Sequence, residues 1–356
     1  VPTLFPLQVR TIDNVLASQI AGLFQNGAIL RLPLTSQYFV DANRTDTYVE
    51  DGNLLTPFKT LAAAYSAAKI GATSTNPKYI NLLSSITENL TMDTGYVGIQ
   101  GFTNSGVRAP LYLNGTITIA PTAGTITDNF FGITNLAILK PEGTSGNCID
   151  VLGGAVPLRV FLESVWLQNG STGSFGVNIN NTGTSSVVNG QLCQFSPFAT
   201  GGGISVVNGT CNMVDCDSTG GSATCVDMFR VASGGRLNFV RCQLEGNATQ
   251  IVNCTGGDYG VSGFNLTLAQ TLLTNNRSNG HGITLASACL VSIGTCGFNV
   301  LTGAGAKAIN GVSSADLTTF PYSLVLFNSV SFANATNVLA RNTIVTTNKV
   351  AYSVMS

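Results

Sequence analysis

Charge is what this sequence has least of. Its 356 residues include 16 Lys and Arg and 17 Asp and Glu, 9% of the chain, where about 25% is usual. The formal net charge is −1. Nucleic-acid binding rests on clustered Lys and Arg, and a polybasic membrane surface site needs the same residues, so neither partner is expected. Long uncharged apolar runs are also missing, and none approaches the 18 residues of a membrane-spanning helix. Disorder is excluded from the other side, because 44% of the residues are hydrophobic and such a chain buries a core.

Histidine and tryptophan occur once each, as His281 and Trp166. The nine cysteines are an odd number, which forbids complete internal pairing. They form no Cys-x-x-Cys pair and no zinc-type set with histidine, so no metal and no cofactor are expected. Most of them read as small buried hydrophobes.

What is abundant is glycine, 40 residues, together with Asn, Thr and Ser, a composition that calls for a search for repeats. The segments FGITNLAIL, VFLESVWLQNG, VNGQLCQF, CNMVDCDS, LNFVRCQLEGN, VSIGTCGF and VLFNSVSF resemble one another. Aligning them places Leu136, Val165, Cys193, Cys216, Cys242, Cys296 and Val330 in one anchor column, and halving the long gap before Cys296 adds Ala269. Five residues before the anchor lie Phe131, Val160, Val188, Cys211, Leu237, Phe264, Val291 and Val325. Three before it lie Ile133, Leu162, Gly190, Met213, Phe239, Leu266, Ile293 and Phe327. Two after it lie Ile138, Leu167, Phe195, Ser218, Leu244, Thr271, Phe298 and Phe332. Only Gly190, Ser218 and Thr271 break the apolar rule.

Residues two apart share a face of a strand, so each repeat contains two short strands with apolar residues inward. The three-residue step between them requires a bend with two residues facing out. A loop then closes the coil. Stacked at about 4.8 Å, such coils make an all-β, right-handed, single-stranded parallel β-helix of about ten coils. Outward positions carry Asn189, Asn212, Asn238 and Asn265 in one column and Gln194, Asp217, Gln243 and Gln270 in another. Stacked amides read first as a hydrogen-bonded ladder, with a sugar-binding strip as the alternative. Cys193, Cys216 and Cys242 read as a ladder of free thiols, since parallel inward side chains are poorly aimed for a disulfide.

Residues 1–40 do not follow the repeat. Ile12 to Phe24 could form a short amphipathic helix between apolar extended flanks, and the segment reads as a docking or assembly element. Residues 41–78 form the entry and a capping helix, with Thr56 as N-cap, Pro57 at the first helical position and Phe58, Leu61, Ala62, Tyr65 and Ala68 as the apolar face. This helix would plug the end of the solenoid, which otherwise exposes its core and strand edges. Residues 79–341 are the β-helix proper, and 342–356 the last coil or a cap.

The stretch DGNLLTPFKTLAAAYSAAK (51–69), followed by KYINLLSSITENLTM, resembles the opening of pectate-lyase-like right-handed β-helix proteins, especially bacteriophage tailspikes and related virion β-helix proteins. The matching residues are Asp51, Gly52, Pro57, Phe58, Lys59, Thr60, Glu88 and Asn89, and with the later coils the resemblance covers roughly residues 40–340. It implies a virion structural protein of the tailspike or tail-fibre kind, a homotrimer that docks on other virion proteins through residues 1–40 and recognises a host surface polysaccharide. The implied location is the virion surface, on tail or capsid, after assembly in the host cytoplasm. A capsid decoration protein on the same solenoid is the alternative. Because the fold also hosts lyases and glycosidases, a depolymerase is the second alternative.

A glycosidase needs two carboxylates flanking the scissile bond. The candidates are Asp215, Asp217 and Glu245, with Arg241 at the corner position above Asp215. The competing reading is a surface Arg–Asp pair across coils. A lyase would need a base and a neutraliser, for which Arg230, Arg236 and Arg241 with Asp227 form a weak cluster. His281, in Asn-Gly-His-Gly, reads as a surface or turn histidine. Carbohydrate contact falls to Trp166, Gln194, Asp217 and Gln243, because an exposed Trp can stack on a sugar ring and amides and carboxylates bond its hydroxyls; Trp166 packed under a neighbouring loop or subunit is the equal alternative.

Overall fold

The computed structural model describes residues 36–347 except 102–110, 142, 153, 155, 171–172, 182–185, 198–200, 221–224, 233, 257–264, 287–288, 301–305, 312–322, 329–330 and 334–342. The expected helix over Ile12–Phe24, the columns' Phe264 and Val330, and most of 342–356 lie outside the described residues.

The chain winds as a parallel β-solenoid with three strands to a full coil. A representative coil runs Arg159–Glu163 on a first face, Trp166–Gln168 on a second and Phe175–Asn180 on a third, and returns to the first face at Val187–Gln191. Every strand of this coil pairs in parallel with its counterparts one coil away. The second face stacks nine strands, and the first and third are joined into one 20-stranded sheet. The join is the strand Gly202–Val214, which runs unbroken through the corner.

The expected columns align as drawn on all coils but one. Val160, Val188, Cys211 and Leu237 are register partners in sequence, and their neighbour is Leu266, not Phe264. The anchor of that coil is therefore Thr271, two residues beyond Ala269. Thr271 is buried among the cysteine anchors, where its hydroxyl donates to the Ala269 carbonyl at 2.9 Å. A threonine that bonds its own backbone hides as a core residue, and an apolar-only search passes over it. The shift removes Asn265 and Gln270 from the outward columns: Asn238 pairs with Thr267, and Gln243 with Leu272.

The other two exceptions also have local causes. A Cβ on Gly190 would lie 2.2 Å from the Met213 sulfur, so the next coil's methionine occupies that volume. Ser218 is fully buried and bonds both the N–H and the C=O of Glu245, at 3.1 Å each. The bend before each anchor is made by one left-handed residue: Asn135, Ser164, Leu192, Asp215, Arg241, Gln270 and Thr295 have φ between 50° and 54°. That conformation turns the strand at each coil while the next side chain points inward.

The third strand is the main departure from expectation, which had a loop there. Its inward residues Val177, Ile204, Phe229, Val252 and Ile283 are fully buried. They follow their anchors by 10 to 13 residues, because the loop between second and third faces varies in length. The three faces share one core, in which the Phe229 ring meets Phe195 edge-on at 5.9 Å and Phe239 at 5.0 Å.

The strand Gln37–Val40 already belongs to the stack, paired with Lys78–Leu82, and Thr343–Thr347 adds a strand beside Ser323–Asn328. The capping helix, α1, spans Leu61–Ala68 with Thr60 as N-cap. It starts later than expected because the Phe58 N–H and C=O bond to Phe39 and Asp41, in a bridge with Val40. Leu61, Ala64, Tyr65 and Ala68 face the core, whereas Ala62 is exposed. Glu88 accepts hydrogen bonds from the Leu61 and Ala62 N–H groups at 2.8 and 2.9 Å, so a carboxylate on the first coil caps the positive end of the helix. Asn89 accepts from Thr116 N on the next coil. Gly52, at φ 79°, leaves room for the Phe58 ring, which a Cβ would approach to 2.4 Å. Each of these residues of the opening segment thus has a structural task in closing the solenoid.

Candidate functional site

The outward side of the second face carries one continuous column. Tyr112, Ala137, Trp166, Gln194, Asp217 and Gln243 are register partners on six successive coils. The four residues expected to touch carbohydrate therefore lie in one line, and the structure adds Tyr112, which is 45% exposed. Tyr112 went unnoticed because its coil lacks a clear anchor in the sequence. Ala137 between the two aromatic residues is small and covered. Trp166 is half-buried, and its indole N–H is enclosed without a partner. Asp217 and Gln243 are exposed and Gln194 half-buried. None of these three polar side chains bonds another described residue, so their capacity is open to water or a ligand. At about 4.8 Å per coil, the column's spacing is comparable with the length of one pyranose unit.

The carboxylate candidates separate at the corner beside this column. Asp215 is held by Arg241 in a two-pronged pair at 2.7 and 2.8 Å. The guanidinium hydrogen bonds hold its carboxyl below the ordinary range. Asp217 moves the other way, because partial desolvation of its carboxyl, exposed though the residue is, raises its pKa. Glu245 accepts a hydrogen bond from the Asn276 amide at 2.7 Å, and the register partner of Asp217 is Gln243 rather than Glu245. One carboxylate is thus neutralised by an arginine, one is open, and one is tied to an amide.

The arginine cluster suggested by the sequence is dispersed. Arg230 lies on the third face, Arg236 on the first and Arg241 at the corner between first and second. The third face has polar columns of its own. Asp227, Gln250, His281 and Lys307 are partners on four successive coils, and Ser205, Arg230, Asn253, Thr284 and Asn310 on five. Here the side chains bond one another: Asp227 accepts from Gln250 and from Asn253 (3.0 Å), and Asp150 accepts from Asn147 (2.6 Å) and Asn178 (3.0 Å). His281 is a strand residue rather than a turn residue. Burial, with a smaller contribution from the Lys307 charge, lowers its pKa and keeps the imidazole neutral at pH 7. Its Nδ1 is enclosed without a partner, as are Arg230 Nε, Asn253 Oδ1 and Thr284 Oγ1. The only sequence signal for this face was the polar content of the presumed loops.

On the first face, Asn212 donates to Asn189 at 2.9 Å and Asn238 to Asn212 at 2.7 Å, a hydrogen-bonded ladder of three amides. All nine cysteines are buried free thiols. Cys193, Cys216 and Cys242 stack inward, and the hydrogen bond with Cys193, together with burial, pushes the Cys216 thiol up to about 12, which makes it unreactive.

No protein-family model matches the sequence, and none of the curated proteins is measurably similar to it. Among solved structures, the fold is similar to a pectin methylesterase from Aspergillus niger in deglycosylated form. The identity is 16%, the match covers 90% of this chain and 92% of that one, and the TM-score is 0.35. It is also similar to ORF18 of Geobacillus virus E2, with 14% identity over 90% of this chain and 66% of that one and a TM-score of 0.37. At these values the likeness concerns the β-solenoid alone and brings no activity to this chain.

Proposed function

We propose that the protein is a virion structural β-helix of the tailspike or tail-fibre kind, whose second face recognises a host surface polysaccharide without cleaving it. The observation that carries the recognition reading is the open column from Tyr112 to Gln243. It offers aromatic surface at one end, unpartnered amides and a carboxylate at the other, and a spacing suited to a linear glycan lying along the solenoid axis. The virion assignment rests on the resemblance of the opening segment, whose Gly52, Phe58, Thr60 and Glu88 close the first coil. A homotrimer docked through residues 1–40 follows from the same resemblance.

One observation favours a second reading, a depolymerase. Asp215 and Asp217 flank one corner, and their environments push their pKa values apart, as acid–base pairs require. Against it, the Asp215 carboxylate is occupied by Arg241.

Immunogold labelling of intact particles, combined with incubation of the full chain with extracted host surface polysaccharide, tests both. Recognition predicts label at the tail and retention of intact polysaccharide, with retention lost in Trp166→Ala. Label spread over the shell would make this a capsid decoration protein. Shortened polysaccharide, abolished by Asp217→Ala, would make it a depolymerase.

A further inference from the structure

A concave site lies on the first coils, away from the second face. It is a cleft of about 340 Å3 where the third face turns into the first. Three stretches line it: the turn after α1 at Thr73 and Ser74, the corner Asp93–Tyr96, and the corresponding corner one coil on, at Thr122 and Asp128.

Its chemistry is that of a polyol site. Asp93 is compensated, accepting from Tyr65 at 3.0 Å and Lys69 at 3.2 Å. Asp128 is not: Oδ2 accepts from the Thr125 N–H and hydroxyl at 2.8 and 2.6 Å, while Oδ1 bonds no described residue. The Ser74 and Thr122 hydroxyls likewise make no bond with described residues, and no cationic side chain lines the cleft. An anionic ligand would therefore meet uncompensated negative charge, whereas hydroxyl groups would find both acceptors and donors. Beside the cleft the Tyr96 ring stacks on Phe130 at 6.5 Å, and Phe130 is 42% exposed. Tyr96 has φ 61°, yet it precedes a first-face strand and so is no member of the corner series before the anchors. A bulky residue is held in an unfavourable backbone conformation where a glycine would be at ease.

We infer that this cleft binds one uncharged hexose unit, its ring against Tyr96, whose own ring Phe130 supports from beside the cleft, and its hydroxyls bonded to Asp128 and the neighbouring Ser and Thr hydroxyls. The site is separate from the second-face column and does not require that column to bind glycan.

Saturation-transfer NMR on the full chain tests the inference, with the methyl pyranosides of glucose, galactose and mannose and with N-acetylglucosamine as probes and glucuronate as the anionic control. At least one uncharged probe should bind. Phe130→Ala and Asp128→Asn should each weaken it by about tenfold, and Trp166→Ala should leave it unchanged. Phe130 is exposed, so its alanine variant should melt like the parent and report the site rather than the fold. No binding by any uncharged probe, equal binding of glucuronate, or loss in Trp166→Ala with retention in Phe130→Ala would each overturn the inference. Failure of the second-face reading would show separately, as polysaccharide retention that ignores Trp166.

Discussion

The second and third faces are made of the same kind of short parallel strands, yet their outer side chains are engaged differently. On the third face carboxylates gather amides, Asp150 from Asn147 on its own coil and Asn178 on the next, Asp227 from Gln250 and Asn253 on the next. On the second face Gln194, Asp217 and Gln243 have the same composition and the same stacking, but they bond no described neighbour. Stacking polar residues on a solenoid does not by itself close a ladder. Where polar groups satisfy one another, as around Asp150 and Asp227, they stabilise the coil, although the third face also encloses His281 Nδ1, Arg230 Nε, Asn253 Oδ1 and Thr284 Oγ1 without described partners. Exposed groups that stay open to solvent are available for recognition.

The largest expected effect tests what the faces have in common. Phe229 belongs to a third-face strand and touches Phe195 and Phe239 from the other two. Phe229→Ala should cost about 3–5 kcal/mol, measured by urea unfolding, and should shift a single transition. Two separated transitions would mean that the faces do not share one core. Next in size is the amide ladder. Asn212→Ala removes two hydrogen bonds and should cost about 1–2 kcal/mol, while Gln194→Ala on the open column should stay within about 0.5 kcal/mol. Equal losses would erase the distinction between closed and open columns. Glu88→Ala, which uncaps α1, should cost about 1 kcal/mol, seen as a lower midpoint in the same urea experiment.

The smallest effect concerns pH. The folded-state pKa of His281 lies below its ordinary value of 6.5, so the unfolded chain binds more protons than the native one near that pH. Stability is then full above the unfolded pKa and declines as pH falls through and below about 6.5. His281 is the single histidine, so His281→Gln should flatten the melting temperature across that window. An unchanged slope would show that His281 is not shielded on the third face.

The solenoid was legible because apolar side chains at positions −5, −3, 0 and +2 impose both strand direction and bend, and the 2.2 Å at which a Cβ on Gly190 would meet the Met213 sulfur shows how tightly one coil fills the next. The third face was not, because the loop before it varies and its strands drift by up to three residues against the anchor. Thr271 was misplaced by two positions because a hydroxyl bonded to its own backbone can stand in a column of thiols. The second-face column was readable from Trp166 onward, since its residues follow their anchors by one. The Asp215–Arg241 pair was readable as a shared corner position. The cleft at Asp93 and Asp128 was not, because it is assembled from three loops with no common period.

The recognition surface we propose is the open column of the second face. Its most direct test is retention of host surface polysaccharide by three proteins: the full chain, the second-face variant Trp166→Ala/Gln194→Ala/Gln243→Ala, and the third-face variant Asn178→Ala/Gln250→Ala. The second-face variant should melt like the parent and lose retention by at least about tenfold, while the third-face variant should be less stable and bind normally. Normal binding by the second-face variant, or loss of binding in the third-face variant with its fold intact, would contradict that proposal.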